Sequence, residues 1–295
     1  MKFSAPAADV RWTHWAPALF VFLWSTGFIG ARLGTPYAEP FTFLAIRMAI
    51  ATLLLLVLAV AMGAPWPATK RLAVHAAIAG ILVHGAYLGG VFTAVAHQVP
   101  LGQVALIAGL QPILTAWLAR PLFGEQVTRQ QWVGMLLGFI GVALVVSSKT
   151  GTAIASPLGL GFSVVALVGI TAGTLYQKRF CAGMDLRTGG VIQFATSGLV
   201  FFAFAMAFET REVAWTGEFV FALGWLTLVL SLGAISLLYV LIRRGAAAKV
   251  AGLFFLTPPV TALMAFVLFD ETLALPALAG MVVTALGVAL VVRVR

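Results

Sequence analysis

Two polar side chains lie deep inside one apolar stretch of this sequence. His84 and Tyr87 are one helical turn apart, so a helix would present both on the same face. A polar group at bilayer depth is costly and usually faces a bundle interior or a cavity. The pair therefore indicates a polar contact for a small molecule. Proton carriage by His84 is a weaker functional alternative. The alternative without a function in transport is a packed histidine that is hydrogen-bonded to a neighbouring helix.

Two prolines interrupt apolar stretches at corresponding depths. Pro112 follows Gln111, and Pro258 follows Thr257. Proline removes a backbone donor and clashes with the carbonyl four residues earlier, so each helix should kink and leave a carbonyl free at membrane depth. We expect Pro112 and Pro258 to be hinges and Gln111 and Thr257 to line a cavity. A static kink that only shapes packing is the alternative.

The remaining substrate-binding candidates are Trp24, Thr171, Ser231 and Phe254. Trp24 lies too deep for the interfacial aromatic belt and could stack on a substrate. A hydroxyl bonded back to its own helix is the alternative for Thr171 and Ser231, and a lipid-facing ring is the alternative for Phe254. Tyr176 and Tyr239 are interpreted as belt residues at span ends.

Arg47 is the one basic residue well inside an apolar stretch. We expect it to anchor its helix, by pairing with Glu39 or by extending its stem to the lipid headgroups. Binding of a substrate carboxylate is the less favoured alternative. None of the nine acidic residues falls in the middle of a stretch, which favours neutral or zwitterionic substrates and uncoupled or weakly coupled transport.

These side chains are held by long apolar segments. The chain has 295 residues, of which 62% are hydrophobic and 9% charged, which excludes a single soluble domain and a disordered chain. A membrane helix needs about 20 apolar residues. We predict an all-α integral membrane protein with ten transmembrane helices, at about 14–31, 41–62, 72–95, 100–119, 131–147, 157–178, 188–208, 218–242, 247–267 and 277–293.

The basic residues orient these helices. Of the 18 Lys and Arg residues, 14 fall in loops on the side of the N-terminus and 3 in loops on the other side. Cytoplasmic loops carry the excess of Lys and Arg, so both termini should be cytoplasmic. We therefore interpret the net charge of +9 as a signal of membrane topology, and we expect no nucleic-acid partner.

The two halves of the chain are similar. Shifting the sequence by 146 residues aligns 100–146 with 246–292 without a gap, and 18 of these 47 positions are identical. A repeat of five spans is inserted in opposite directions in its two copies, as in secondary transporters with a site at the repeat interface. We predict two inverted five-helix repeats, at 1–149 and 150–295. Glycines in the fifth and tenth spans indicate close helix packing, or a dimer face.

Three short motifs carry a family resemblance. They are the run GFIGVALVV at 138–146, FGE at 123–125 before the fifth span, and FTFLAIRMAI at 41–50, which includes Arg47. The chain resembles two copies of the EamA domain of the drug/metabolite transporter superfamily, and within it most resembles the bacterial aromatic amino-acid exporter branch. The resemblance implies export of small metabolites from the bacterial cytoplasm. Asp270 in place of the motif glycine, and Gln193 opposite Arg47, depart from the pattern.

The predicted function is alternating-access export across the bacterial inner membrane, with aromatic or other neutral amino acids as substrates. A multidrug or cationic-compound exporter is the alternative. No HExxH, GxSxG or buried carboxylate pair is present, so we expect no enzyme, no cofactor and no metal. The expected partners are a small-molecule substrate and the lipid bilayer, with the chain a monomer or homodimer.

Overall fold

The computed structural model describes residues 10–99, 101–147, 156–269 and 273–293, which form ten helices. Each of the ten is long and apolar enough to cross a membrane. The regular backbone structure of these residues is helical, apart from one isolated antiparallel bridge between Ala38 and Val213. The predicted all-α class and its ten spans are confirmed.

Five helices come from each half. Those of the first half are α1 (Val10–Gly34), α2 (Pro40–Ala61), α3 (Lys70–Ala96), α4 (Leu101–Ala108 and Gln111–Phe123) and α5 (Arg129–Ser147). Those of the second half are α6 (Pro157–Phe180), α7 (Leu186–Phe208), α8 (Gly217–Arg244), α9 (Ala247–Gly252, Leu253–Leu256 and Thr257–Phe269) and α10 (Leu275–Arg293). The predicted boundary between residues 149 and 150 lies outside the described residues and stays a prediction.

Polar residues at the helix starts explain where several helices begin. The side chains of Thr69, Asp185 and Thr216 accept hydrogen bonds from backbone N–H groups in the first turns of α3, α7 and α8. Such caps satisfy donors that have no partner within the helix. Pro40 begins α2, where its missing N–H costs nothing.

Two helices contain widened turns at equivalent positions. Ile81–Ala86 of α3 and Leu226–Ala234 of α8 are π-helical. An offset of 146 residues carries 81–86 onto 227–232, inside the second widened turn. A π turn inserts a residue into the helical register and is frequent at functional sites. Hydropathy patterns do not record this change, and the sequence analysis missed both turns.

α4 and α9 are interrupted at a second pair of equivalent positions. α4 breaks at residues 109–110, and α9 passes through a 3-10 turn at Leu253–Leu256. Pro112 and Pro258 are each the second residue of the helical segment that follows. Each helix is therefore disturbed beside its proline, and the role of Pro112 and Pro258 as hinges stays a prediction. Proline tolerates the first turn of a helix, so each break lies just before its proline.

The helix contacts follow the inverted repeat. α2 packs on α7, and α5 packs on α10, so that each helix contacts its own counterpart. Other contacts come in matched pairs, with α1–α8 corresponding to α6–α3 and α1–α9 corresponding to α6–α4. This arrangement fits two inverted five-helix repeats.

Glycines let α5 and α10 approach closely. A Cβ atom at Gly141 would lie 2.6 Å from the carbonyl oxygen of Gly280, and one at Gly287 would lie 2.5 Å from that of Gly134. No side chain fits at such distances. The predicted close packing is confirmed as contact between the two halves of the same chain.

Candidate functional site

A buried cavity lies at mid-depth between helices of both halves, and we call it the central cavity. Its volume is about 50 Å³, which leaves room for only a few water molecules. It is lined by Trp24, Gly27, Ala31, Arg47, Val83, His84, Tyr87, Leu88, Val91, Phe92, Leu226, Leu230 and Ile235. Val83 and His84 belong to the π turn of α3, and Leu226 and Leu230 to that of α8. The widened turns thus form two of its walls.

One wall of the central cavity is aromatic. The rings of Trp24 and Tyr87 are stacked with centroids 6.2 Å apart and an interplanar angle of 18°. Phe254 meets the Trp24 ring edge-on at 5.1 Å. Offset and edge-on ring pairs are favourable, and such a wall suits a flat apolar group.

His84 offers free hydrogen-bonding groups beside this wall. The residue is 1% exposed, and neither ring nitrogen has a hydrogen-bond partner among the described residues. Its ring stacks on Phe194 with centroids 4.3 Å apart. A neutral imidazole presents one donor and one acceptor. The structural alternative, a histidine hydrogen-bonded to a neighbouring helix, is not observed among the described residues.

Arg47 lines the same cavity, which corrects the expectation of an anchor. Its side chain is buried, and its Nε donates to Ser231 Oγ at 3.1 Å. Glu39 instead accepts hydrogen bonds from the backbone N–H groups of Thr210 and Arg211. The signal that could have placed Arg47 in the site was its depth in the span, together with the neutral Gln193 at the same position of the second repeat.

Gln111 and Phe254 belong to a second, smaller cavity. It has a volume of about 10 Å³ and also contacts Thr115 and Thr174. The Phe254 ring also contacts Trp24, which lines the central cavity. Gln111 is therefore buried near the central cavity but does not line it.

Two predicted site residues lie apart from both cavities. Thr171 donates its hydroxyl to the carbonyl of Leu167 in its own helix, the alternative considered for it. Thr257 lies at the contact between α1 and α9, where its carbonyl accepts a 3.4 Å hydrogen bond from Ser25. The structure thus brings together Trp24, His84 and Tyr87, with Ser231 behind Arg47.

Tyr239 is not an interfacial belt residue. It is 3% exposed, and its hydroxyl donates to Gln193 Oε1 at 2.6 Å. Gln193 Nε2 in turn donates to Gln177 Oε1 at 3.0 Å. A tyrosine at a span end can face the headgroups or the protein, and the helix rotation that decides between them is set by packing.

Polar contacts join the two halves at the face of the bundle on which α1 begins, here called the N-terminal face. Lys178 Nζ lies 2.5 Å from Glu125 Oε1, and the Glu125 carboxylate also accepts a hydrogen bond from the N–H of Ala247 at the start of α9. Glu125 belongs to the first half, whereas Lys178 and Ala247 belong to the second. These contacts tie the two halves together at this face.

The opposite face has a wide opening, here called the outer vestibule after the orientation that the Lys and Arg residues predict. Its volume is about 1120 Å³, and it is formed by the ends of α1, α2 and α3 and the loop between α7 and α8. Phe92 lines both this vestibule and the central cavity, so its ring lies between them. Hydrogen bonds from Thr210 hold the pKa of the Glu39 carboxyl below its usual value.

Acidic groups lie outside the central cavity in the described ranges. Those that the structure describes are at helix ends or in loops: Glu39, Glu125, Asp185, Glu209, Glu212 and Glu218. Asp9, Asp270 and Glu271 lie outside the described residues. Within those residues no group of three His, Cys, Asp or Glu side chains could hold a metal ion.

Comparisons with known proteins agree on one family. The profile of the EamA-like transporter family matches residues 11–147 and 157–293. The uncharacterized transporter YvbV of Bacillus subtilis (strain 168) is 26% identical over 282 residues, covering 93% of this chain and 89% of that protein. The uncharacterized inner membrane transporter YedA of Escherichia coli (strain K12) is 26% identical over 257 residues, covering 87% and 82%.

The fold also matches a solved structure. A protein of known crystal structure superposes with a TM-score of 0.78 at 18% identity, covering 94% of this chain and 95% of its own. At that identity the match establishes the fold alone.

Proposed function

We propose, from the premise that this chain belongs to the EamA-like transporter family, that it exports aromatic or other neutral amino acids by alternating access. Family membership makes it a multi-pass membrane transporter. The observation that carries the substrate proposal is the central cavity, with its aromatic wall and the free nitrogens of His84. Flat rings would stack on Trp24 and Tyr87, and polar groups would meet His84.

The predicted substrate-binding set divides into two groups under this proposal. Trp24, His84 and Tyr87 contact substrate directly, whereas Ser231 acts through Arg47. Gln111 and Phe254 would join the site when the central cavity widens toward the N-terminal face, because Phe254 lines the smaller cavity and contacts Trp24 of the central one. Thr171 and Thr257 shape the helices behind it.

Alternating access is supported by the matched interruptions of the helices. The cavity is too small for an amino acid, so helices must move for one to enter. The π turns of α3 and α8 and the breaks before Pro112 and Pro258 are equivalent in the two halves. Interchanging the shapes of two inverted halves would close one face and open the other. We propose that these interruptions are the hinges.

The proposed location is the bacterial inner membrane, with the N-terminal face in the cytoplasm. The relative YedA is named an inner membrane transporter, and the distribution of Lys and Arg supports this orientation. The contacts between the halves at the N-terminal face, together with the outer vestibule at the other, would then correspond to a form close to opening outward. Export is proposed on the family resemblance.

Counterflow in proteoliposomes tests the function. Vesicles loaded with unlabelled phenylalanine or tryptophan should accumulate the labelled compound transiently, because a carrier exchanges substrate whereas a pore only equilibrates it. Cationic dyes should give no counterflow, and the assay is run with and without a pH gradient. Counterflow of dyes alone would favour the multidrug alternative, and counterflow of neither class would contradict the proposal.

His84→Ala and Gln111→Ala test the site. We expect each to lower the initial exchange rate about tenfold, because a polar contact to substrate is lost. His97→Ala is the matched control, since His97 directly follows the end of the same helix and bonds the carbonyl of Thr93 outside the cavity. Protein levels in the membrane should stay normal. Unchanged exchange in both variants would remove His84 and Gln111 from the site.

A further inference from the structure

We infer that Arg47 binds an anionic group of the substrate, so that the transported molecule carries a carboxylate beside its apolar part. The inference rests on the proposed function and deepens it, since it names the chemistry that the site selects. It starts from an unusual charge, because Arg47 is 3% exposed and lines the central cavity.

The guanidinium of Arg47 has donors to spare. A guanidinium carries five N–H donors. Within the described part of the chain only Nε has a partner, the hydroxyl of Ser231 at 3.1 Å. Ser231 also donates to the carbonyl of Leu226, so it accepts from Arg47 and holds the side chain in place. The anchoring contact uses Nε and leaves the paired Nη groups, which suit a bidentate carboxylate, for a ligand.

No acid among the described residues lining the central cavity neutralises this charge. A charge at bilayer depth is costly unless it is paired. His84 lies in the same cavity with both ring nitrogens free, so it can add one N–H donor. The cavity thus combines a fixed positive charge with an aromatic wall, which matches an aromatic acid and repels a cation.

The second half of the chain indicates that the charge is not required by the fold. Gln193 occupies the repeat position equivalent to Arg47. Its amide is satisfied by Gln177 and by Tyr239 at 3.0 Å and 2.6 Å. A neutral side chain therefore serves this position in one copy. The arginine in the other copy faces a cavity, and its charge is available for binding.

Calorimetric binding to the purified protein in lipid nanodiscs tests the inference. The probes are phenylpropionate, its neutral isostere phenylpropionamide, and the cation phenylpropylamine. We expect the wild type to bind phenylpropionate at least about tenfold more tightly than the other two. Arg47→Gln, which installs the residue of the second repeat, should reduce this preference to about twofold or less.

Two further variants separate binding from folding. Arg244→Gln removes an equal charge at the exposed end of α8 and should leave the preference intact. Ser231→Ala keeps the charge but removes its anchor, and should reduce the preference even if Arg47→Gln fails to fold. Equal binding of acid and amide by the wild type, or a preference that survives Arg47→Gln, would overturn the inference.

The transport assay decides the proposed function separately. Counterflow of phenylalanine together with equal binding of acid and amide would overturn this inference and leave the exporter standing. Failure of every probe to bind would also overturn the inference, whatever the transport result.

Discussion

Gln193 and Tyr239 form a buried hydrogen-bonded pair that holds α7 against α8. Their 2.6 Å contact lies where both side chains are shielded from solvent and lipid. A buried acceptor that loses its donor costs more than the hydrogen bond itself contributes.

Tyr239→Phe should therefore destabilise the protein by about 1–3 kcal/mol, because Gln193 Oε1 loses its donor. The measurement is thermal unfolding in detergent. Tyr176→Phe is the matched control, since Tyr176 also bonds a side chain, His75 Nδ1 at 2.7 Å, but at a partly exposed position. Equal losses in the two variants would contradict a special role for the buried pair.

For single residues, the sequence predicted how deep a side chain lies within its span better than the direction in which it points. His84, Tyr87 and Trp24 were located because a polar or amphipathic group deep in an apolar stretch has few structural roles. Arg47 and Tyr239 were assigned to the membrane interface, yet both are buried. The direction of one side chain depends on the rotation of its helix. That rotation is set by packing against distant segments such as α7, which local spacing does not record.

Among the helices, α5 and α10 form a contact between the halves that depends on small side chains. A Cβ atom at Gly287 would meet backbone atoms of both Gly134 and Gly138, and backbone cannot move aside as a flexible side chain can. This contact lies away from the residues that line the central cavity.

Gly287→Ala should therefore destabilise the bundle by more than about 2 kcal/mol through overpacking. Gly161→Ala in α6 is the control, because a Cβ there meets nothing within 4 Å, and it should be neutral or slightly stabilising. Both are measured by the midpoint of thermal unfolding. If Gly287→Ala unfolds like the wild type, the two helices are farther apart than described.

The spans themselves followed directly from apolar length, because a helix must cross about 30 Å of hydrocarbon. The interruptions within the helices could not be predicted from apolar length. Pro112 marked a disturbance in α4, but the break lies at residues 109–110 before it. The π turn at Ile81–Ala86 has no proline to mark it, and apart from His84 it is apolar like its surroundings. Hydrogen-bond register is a property of the packed helix, so composition gave no sign of it.

The molecule as a whole has two faces whose sidedness is a prediction. Glu212 lines the outer vestibule, whereas Gln126 is exposed in the loop that follows α4. Gln126 lies in the loop that joins α4 to α5, and Glu212 lies in the loop that joins α7 to α8. These two loops are on opposite faces of the bundle.

Labelling with a membrane-impermeant maleimide tests the orientation. In a Cys181→Ser background, the Glu212→Cys variant should react in intact cells, and the Gln126→Cys variant only in inverted vesicles. The physical reason is the excess of Lys and Arg in the loops of the N-terminal face. The reverse pattern would place the N-terminal face outside, and labelling of both from one side would contradict the ten-helix topology.

Phe92 lines both the outer vestibule and the central cavity, so in the proposed mechanism its ring is part of the barrier between them. If that ring swings aside while the contacts of Glu125 hold, water reaches the middle of the membrane and stops there. If those contacts have already released, the same rotation joins the two aqueous compartments. If the proposed mechanism holds, the order of the two events therefore decides between transport and leakage: the contacts of Glu125 at the N-terminal face must form before the Phe92 ring moves.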